Sequence, residues 1–205
     1  MSNAIKQLIE SRVSTGRYDP ARRLSEAEVS ELVRLATRAP SAFNVQNWKF
    51  VAVCSPEAKA RLRAAAFDQP QIEDAAVTFI VCGTLGAHKD MPRVLQPSVD
   101  AGIVPQTVAD GWVEMATASH DGNPQLQRDE AFRSASLAAM TLMLAAEGMG
   151  VSTGAMSGFD AQAVAAAFEL DASEVPVMLV TAGYGLATNW PQKPRRPLQE
   201  VMTVA

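Results

Sequence analysis

Cysteine and histidine are both scarce, with two of each in 205 residues. Cys54 and Cys82 lie in separate apolar, strand-like runs, so both are expected as buried free thiols rather than a disulfide. There is no CxxC pair and no Cys/His cluster at metal-ligand spacing, so no metal site is expected. His88 and His120 are far apart in sequence, and His88, in a polar stretch, is expected as a surface loop residue. No apolar run approaches the roughly 20 residues that a membrane-spanning helix needs, so no membrane association is expected. Basic residues are not in excess: the net charge is −4 and the pI is near 5.2. That argues against a nucleic-acid partner. Met1 to Ala4 lack the charged-then-apolar pattern of a secretion signal, and a cytoplasmic location is expected. Gly148 to Gly154 is not GxGxxG and no strand is predicted to lead into it, so a Rossmann dinucleotide site is poorly supported. No internal repeat is found.

What remains describes a folded chain. Hydrophobic residues make up 48% and charged residues 20%, enough for a sizeable core in one domain over residues 1–205. The chain is organised around residues 39–53. A helix starting at the capping box Ser25-Glu26-Ala27-Glu28 is predicted to end at Ala39, because Pro40 cannot continue it. Ser41 to Gln46 are small or polar, and Trp48 to Cys54 read as a buried strand. The loop between them is read equally well as an ordinary helix–strand connection or as a functional loop on a rigid frame.

The other elements follow from pattern. A short helix is predicted over Ile5–Glu10. A second, to about Phe67, starts at Ser55-Pro56-Glu57. Strands are predicted over Ala75–Gly83 and Val175–Gly183. Val104 to about Ser119 reads as helix, and Asp121 to Pro124 as a turn. Asp129–Glu147 is apolar nearly all round, so it is expected to be buried on most sides, in the core, a dimer interface or both. Asp160 is expected to cap a helix over 161–168. Pro92, Pro97 and Pro105 argue against long regular elements in 84–105.

Two polar segments invite a functional reading. Residues 11–20 place Arg12 and Arg17 beside three hydroxyls and Gly16, a set that suits phosphate oxygens or serves as a solvated turn. The tail from Asn189 to Val201 is basic and interrupted by Pro191, Pro194 and Pro197; it reads as a frayed end or as an extended arm.

Ala39-Pro40-Ser41-Ala42-Phe43-Asn44-Val45-Gln46-Asn47-Trp48 resembles the APSxxNxQPW stretch of the nitroreductase family of FMN-dependent oxidoreductases. Asn47 stands where that family usually has proline, which is expected to loosen the turn. Residues 11–20 resemble the family's RRSxRxFDP opening, with Arg12 and Ser14 on the positions that bind the FMN phosphate and ribityl chain. Val13 takes the place of the second basic residue. Lys193 and Arg195 match the family's C-terminal Lys-x-Arg pair. Ser157-Gly158 fall in the loop whose backbone N–H groups lie beside flavin N5. Asp68 or Gln69 would reach the pyrimidine edge, Gln69 being the better donor and acceptor.

The resemblance covers residues 8–201. It implies an α+β fold with a mostly antiparallel central sheet flanked by helices, in an intertwined homodimer. The cofactor would be FMN, contacted by Arg12, Val13, Ser14, Pro40, Ser41, Asn44, Gln46, Asp68, Gln69, Ser157, Gly158, Lys193 and Arg195. Pro40, Ser41 and Asn44 of one subunit would meet flavin held by Arg12, Ser14, Lys193 and Arg195 of the other, and the arm from about residue 188 would reach across. The activity implied is ping-pong reduction of a small, aromatic or conjugated acceptor by NAD(P)H, with the chemistry at flavin N5 and no catalytic side chain. Dehalogenating or flavin-fragmenting enzymes of the same superfamily, or a non-catalytic FMN-binding protein, are the alternatives. The 84–105 insertion would cover the flavin, and Met91, Trp112 and Met115 suggest an apolar acceptor.

Overall fold

A computed structural model describes residues 3–205; Met1 and Ser2, included in the expected domain, lie outside the described residues. Four strands form one sheet in the order β1-β2-β4-β3. They are β1 (Trp48–Val53), β2 (Val77–Thr84), β3 (Ser152–Met156) and β4 (Glu174–Gly183). Every pairing is antiparallel. β2 is buried along nearly its whole length because helices cover both faces of the sheet. Val77, Phe79 and Val81 face α2 (Glu26–Ala36) and the 25-residue α7 (Pro124–Gly148). Ile80 and Cys82, on the alternate positions, face α3 (Pro56–Ala65) and α8 (Ala161–Ala167). The period of two thus puts one apolar set into each helical layer.

Local signals start most of these helices. Ser25 Oγ accepts from Glu28 N at 3.2 Å, and Glu28 Oε2 accepts from Ser25 N at 2.7 Å, completing the capping box of α2. Ser55 caps α3 with Pro56 in its first turn. Asp160 Oδ1 accepts from Gln162 N and Ala163 N to cap α8. The expected turn at 121–124 also delivers Asn123 as the cap of α7. The small residues of α7 let it press close to the sheet: a Cβ on Gly83 would lie 2.6 Å from the Ala131 carbonyl oxygen. α7 does not bury every side, however; Leu137 and Met140 stay open in the single chain.

Four expectations are corrected. Residues 84–105 do form regular structure, α5 (Met91–Asp100), with Pro92 in its first turn and Pro97 inside it. Met91 and Leu95, one turn apart, are buried against α6 (Gln106–His120). That apolar stripe outweighs the hydrogen bond lost at the exposed Pro97. His88 is not a surface residue but 3% exposed. Cys54 is exposed, because β1 ends one residue earlier; only Cys82 is buried. Finally, α2 stops at Ala36, and Arg38 N and Ala39 N continue with tighter i→i−3 bonds to Leu35 and Ala36.

Among the described residues, no helix is long and apolar enough to cross a membrane. Two buried acids contribute to the alkaline behaviour. Burial pushes the Tyr18 hydroxyl well above its ordinary value, and burial with the nearby Glu174 carboxylate pushes the Cys82 thiol up to about 12. The folded chain therefore keeps protons that the unfolded chain releases. Stability is fully present below the ordinary thiol and phenol values, about 8.5 and 10, and falls as pH rises through and beyond them. Melting curves taken across this range are expected to slope downward, and Tyr18→Phe/Cys82→Ala to flatten the slope; an unchanged slope in the double variant would refute the assignment.

Candidate functional site

Arg12 ends α1 (Ala4–Ser11) by donating its N–H to Leu8 O at 3.3 Å. The next residues run along the free edge of β3. Ser14 forms a parallel bridge to Thr153, and Thr15 N donates to Thr153 O at 2.9 Å. Tyr18 anchors the segment from beneath, its hydroxyl 2.8 Å from Thr181 Oγ1 and 3.1 Å from the Thr15 carbonyl. The C-terminal arm folds back onto the same segment. Asn189 Oδ1 accepts from both Gly16 N and Arg17 N at 3.0 Å, and its Nδ2 donates to Arg17 O. Gln192 Nε2 donates to Arg12 O at 3.1 Å, while Gln192 Oε1 accepts from Arg195. Arg12, Ser14, Lys193 and Arg195, spread over the length of the sequence, are thereby gathered in one place.

Beside this segment lies an open groove of about 300 Å³, bordered by Ser14, Arg17, Gln71, Gly154, Met156 and Lys193; Arg12 and Arg195 do not line it. No carboxylate lines it. Its chemistry is hydroxyls, amides and cations, a set that binds phosphate and polyol oxygens. Val13 lies in the same segment without a side-chain donor.

Gln71, which borders the groove, connects it to residues 67–69. Phe67 and Asp68 both have positive φ, 54° and 56°, reversing the chain after α3. Gln69 Nε2 then donates to Gly158 O at 2.6 Å, and Gln71 Nε2 donates to Gln69 Oε1 at 2.9 Å. Gln69 and Gly158, 89 residues apart, are thus brought together. Asp68 instead points toward Arg63, 3.8 Å away, and is exposed. Ser157 is exposed beside Gly158. Gln71, Asn189 and Trp190 border the groove without having been expected there. Gln71 could have been found as the continuation of the polar run from Asp68. Asn189 could have been found as an amide suited to binding backbone beside three prolines.

The 40–47 loop is elsewhere. It enters β1, the strand at the opposite edge of the sheet from β3. Ser41 Oγ accepts from Gln46 N at 2.9 Å. Phe43, Asn44 and Gln46 all hold left-handed backbone, with φ of 52°, 55° and 52°. Three such non-glycine residues in four positions is a costly conformation, of the kind that clusters at ligand sites. Pro40 is exposed and Ser41 half-buried. Gln46 and Trp48 border a second groove with Asp90, Arg93 and Pro97. Phe43 and Val45 pack on the α5–α6 cluster with Trp112. Met91 is fully buried in that cluster, whereas Met115 is exposed. Within one chain, then, Pro40, Ser41, Asn44 and Gln46 share no groove with Arg12, Ser14, Lys193 and Arg195.

The nitroreductase family profile matches residues 9–184. The chain belongs to the nitroreductase family. YodC of Bacillus subtilis (strain 168), whose name places it among the NAD(P)H nitroreductases, is 34% identical over 203 residues, 99% of each chain. A reductase named for the enone step of CLA biosynthesis, from Lactiplantibacillus plantarum, is 28% identical over 195 residues, covering 89% of this chain and 90% of its own. Among solved structures, a protein of Exiguobacterium sibiricum 255-15 described as a nitroreductase in complex with FMN superposes with a TM-score of 0.91. It is 27% identical and covers 100% of this chain and 99% of its own. The expected α+β architecture, with helices flanking an antiparallel sheet, is the nitroreductase-like fold.

Proposed function

We propose that this nitroreductase-family chain is an FMN-dependent, NAD(P)H-using oxidoreductase that reduces a small conjugated acceptor, a nitro compound, quinone or enone, as a cytoplasmic homodimer. The observation that carries the reading is the division of the site. One edge of the sheet offers a cationic, hydroxyl-lined groove without carboxylates. The other offers a strained polar loop. A two-fold partner brings the groove of one protomer to the loop of the other.

The residues present fit FMN. Arg12, Lys193 and Arg195 supply charge-assisted donors for a phosphate, and Ser14 a hydroxyl for the ribityl chain. Gly158 suits close backbone approach to a flat ring, and Gln69 holds it in place through its carbonyl. Ser41, Asn44 and Gln46 of the partner protomer would contact the ring from the other side, with Pro40 shaping the turn. Bound FMN would supply the hydride and electron chemistry, accepting reducing equivalents from NAD(P)H. The chain itself binds, orients and shields. No acid, base or nucleophile of its own is invoked.

Exposed apolar groups support the homodimer. Ile5 and Ile9 on α1, and Leu137 and Met140 on α7, form outward apolar positions. The arm carries Trp190, 70% exposed, with Leu198, Val201 and Met202. Its prolines favour an extended course that would reach across a partner. The domain is then residues 1–205 with an arm from about 188. The names of the relatives, enone reductase and NAD(P)H nitroreductase, support a conjugated acceptor.

The test is the visible spectrum of the purified protein, before and after anaerobic NADH or NADPH. A flavin band that bleaches with one of them is the expected result and names the donor. A flavin that bleaches with neither refutes the NAD(P)H reading, and a protein that binds no added FMN refutes the whole.

A further inference from the structure

Behind the 40–47 loop is a narrow, partly open cavity that the proposed chemistry does not use. A water-sized sphere has about 20 Å³ in which to sit, between Asn47, Thr84, His88, Met91, His120 and Glu130. Two polar atoms of its lining residues are buried and, among the described residues, unpartnered: Asn47 Oδ1 and His88 Nδ1. Their residues are 4% and 3% exposed.

The tautomer of His88 follows from its neighbour. His88 Nε2 lies 2.9 Å from Asp121 Oδ1. A carboxylate only accepts, so Nε2 carries the proton, and in the neutral ring Nδ1 is a bare acceptor. Asn47 Oδ1 is also an acceptor. Two acceptors cannot satisfy each other; they need a ligand with two donors. The space exceeds the 10–15 Å³ that one water requires, and it suits nothing much larger. The ligand is neutral, because the Glu130 carboxylate is already matched by Arg133 and the Asp121 carboxylate faces solvent.

We propose that this cavity binds one structural water, which donates one hydrogen to Asn47 Oδ1 and the other to His88 Nδ1. The water ties the 40–47 loop to the turn at 87–90. It gives Asn47, which stands where the family has proline, a positioning role that proline cannot fill. The backbone carries a parallel tie, Thr84 N to Asn47 O at 3.0 Å. In the reading proposed above, on which this consequence rests, the water helps hold the strained Ser41–Gln46 backbone in its flavin-facing form.

A crystal structure of the protein, with or without flavin, at a resolution that orders buried waters, tests the site. One water within hydrogen-bond distance of both atoms is expected. An empty cavity, a bound cation or a direct Asn47–His88 bond overturns it. A double-mutant cycle tests the link in solution by melting temperature, using Asn47→Leu, His88→Phe and both together. Each single variant strands the water with one acceptor, and the double variant leaves a dry apolar space. The double variant is therefore expected to lose less than the sum of the two single losses; additive losses overturn the bridge. Neither readout involves flavin, so a chain that failed to bind FMN would refute the proposed function while leaving this test intact.

Discussion

Gly154→Ala is expected to lower the melting temperature by about 6–12 °C and to weaken the groove beside it. Gly154 lies on β3 where the 14–18 segment crosses it. An added Cβ would be driven into the Thr15 carbonyl oxygen, and would also stand 2.9 Å from Thr181 Oγ1 and 3.2 Å from the Tyr18 hydroxyl. Two of these neighbours cannot yield easily: the Thr15 carbonyl belongs to backbone paired with Thr153, and Tyr18 is buried and bonded to Thr181. Overpacking a rigid site costs about 3 kcal/mol, and about 2–4 °C accompanies each kcal/mol in a chain of this length. Gly16→Ala is the control, because no atom lies within 4 Å of its added Cβ. If Gly154→Ala melts with Gly16→Ala, the close contact between β3 and the 14–18 segment is wrong.

Arg12→Ala/Arg195→Ala is expected to purify nearly colourless while remaining folded. Neither residue belongs to the buried core, and Gln192 links the Arg12 carbonyl to the Arg195 guanidinium, close in sequence to Lys193, which borders the groove. Charge-assisted hydrogen bonds contribute about 1.5–3 kcal/mol each, so the pair accounts for about 3–6 kcal/mol of FMN binding. That is a loss of roughly 10²- to 10⁴-fold in affinity. Circular dichroism reports the fold, and FMN titration followed by fluorescence reports the affinity. Arg196→Ala, which removes the neighbouring charge in the arm, should keep its flavin. Equal FMN affinity in the double variant and the parent would remove the phosphate from this cationic cluster.

Much of the fold was legible because local chemistry and tertiary packing agree. Ser25 with Glu28, Ser55 with Pro56 and Asp160 each announce a helix that the structure contains. β1, β2 and β4 read as strands from their aromatic and branched residues. β3 did not, because Ser-Thr-Gly-Ala-Met has little strand preference of its own; it is held by β4 on one side and by Ser14–Thr15 on the other. α5 was hidden by its prolines, since its cause is a contact with α6 that no local pattern contains. His88 misled for the same reason: a lone polar residue in a polar stretch is buried by α6, α7 and the 40–47 loop together. The candidate site residues were named through ordered motifs. Their separation to opposite edges of one sheet is a property of topology, which motifs do not encode.

The Asn189 clasp has a bearing on how the protein is made. It joins Gly16 and Arg17 to a side chain 173 and 172 residues further on, and Gln192 reaches Arg12 across 180. Chains emerge from the ribosome beginning at the N-terminus, and early segments can fold before later ones exist. Here the cationic cluster stays incomplete until the segment from Asn189 to Arg195 has been added. β4, which joins β3 to the rest of the sheet, precedes Asn189 by only a few residues, so β3 and residues 12–17 both wait for this late segment.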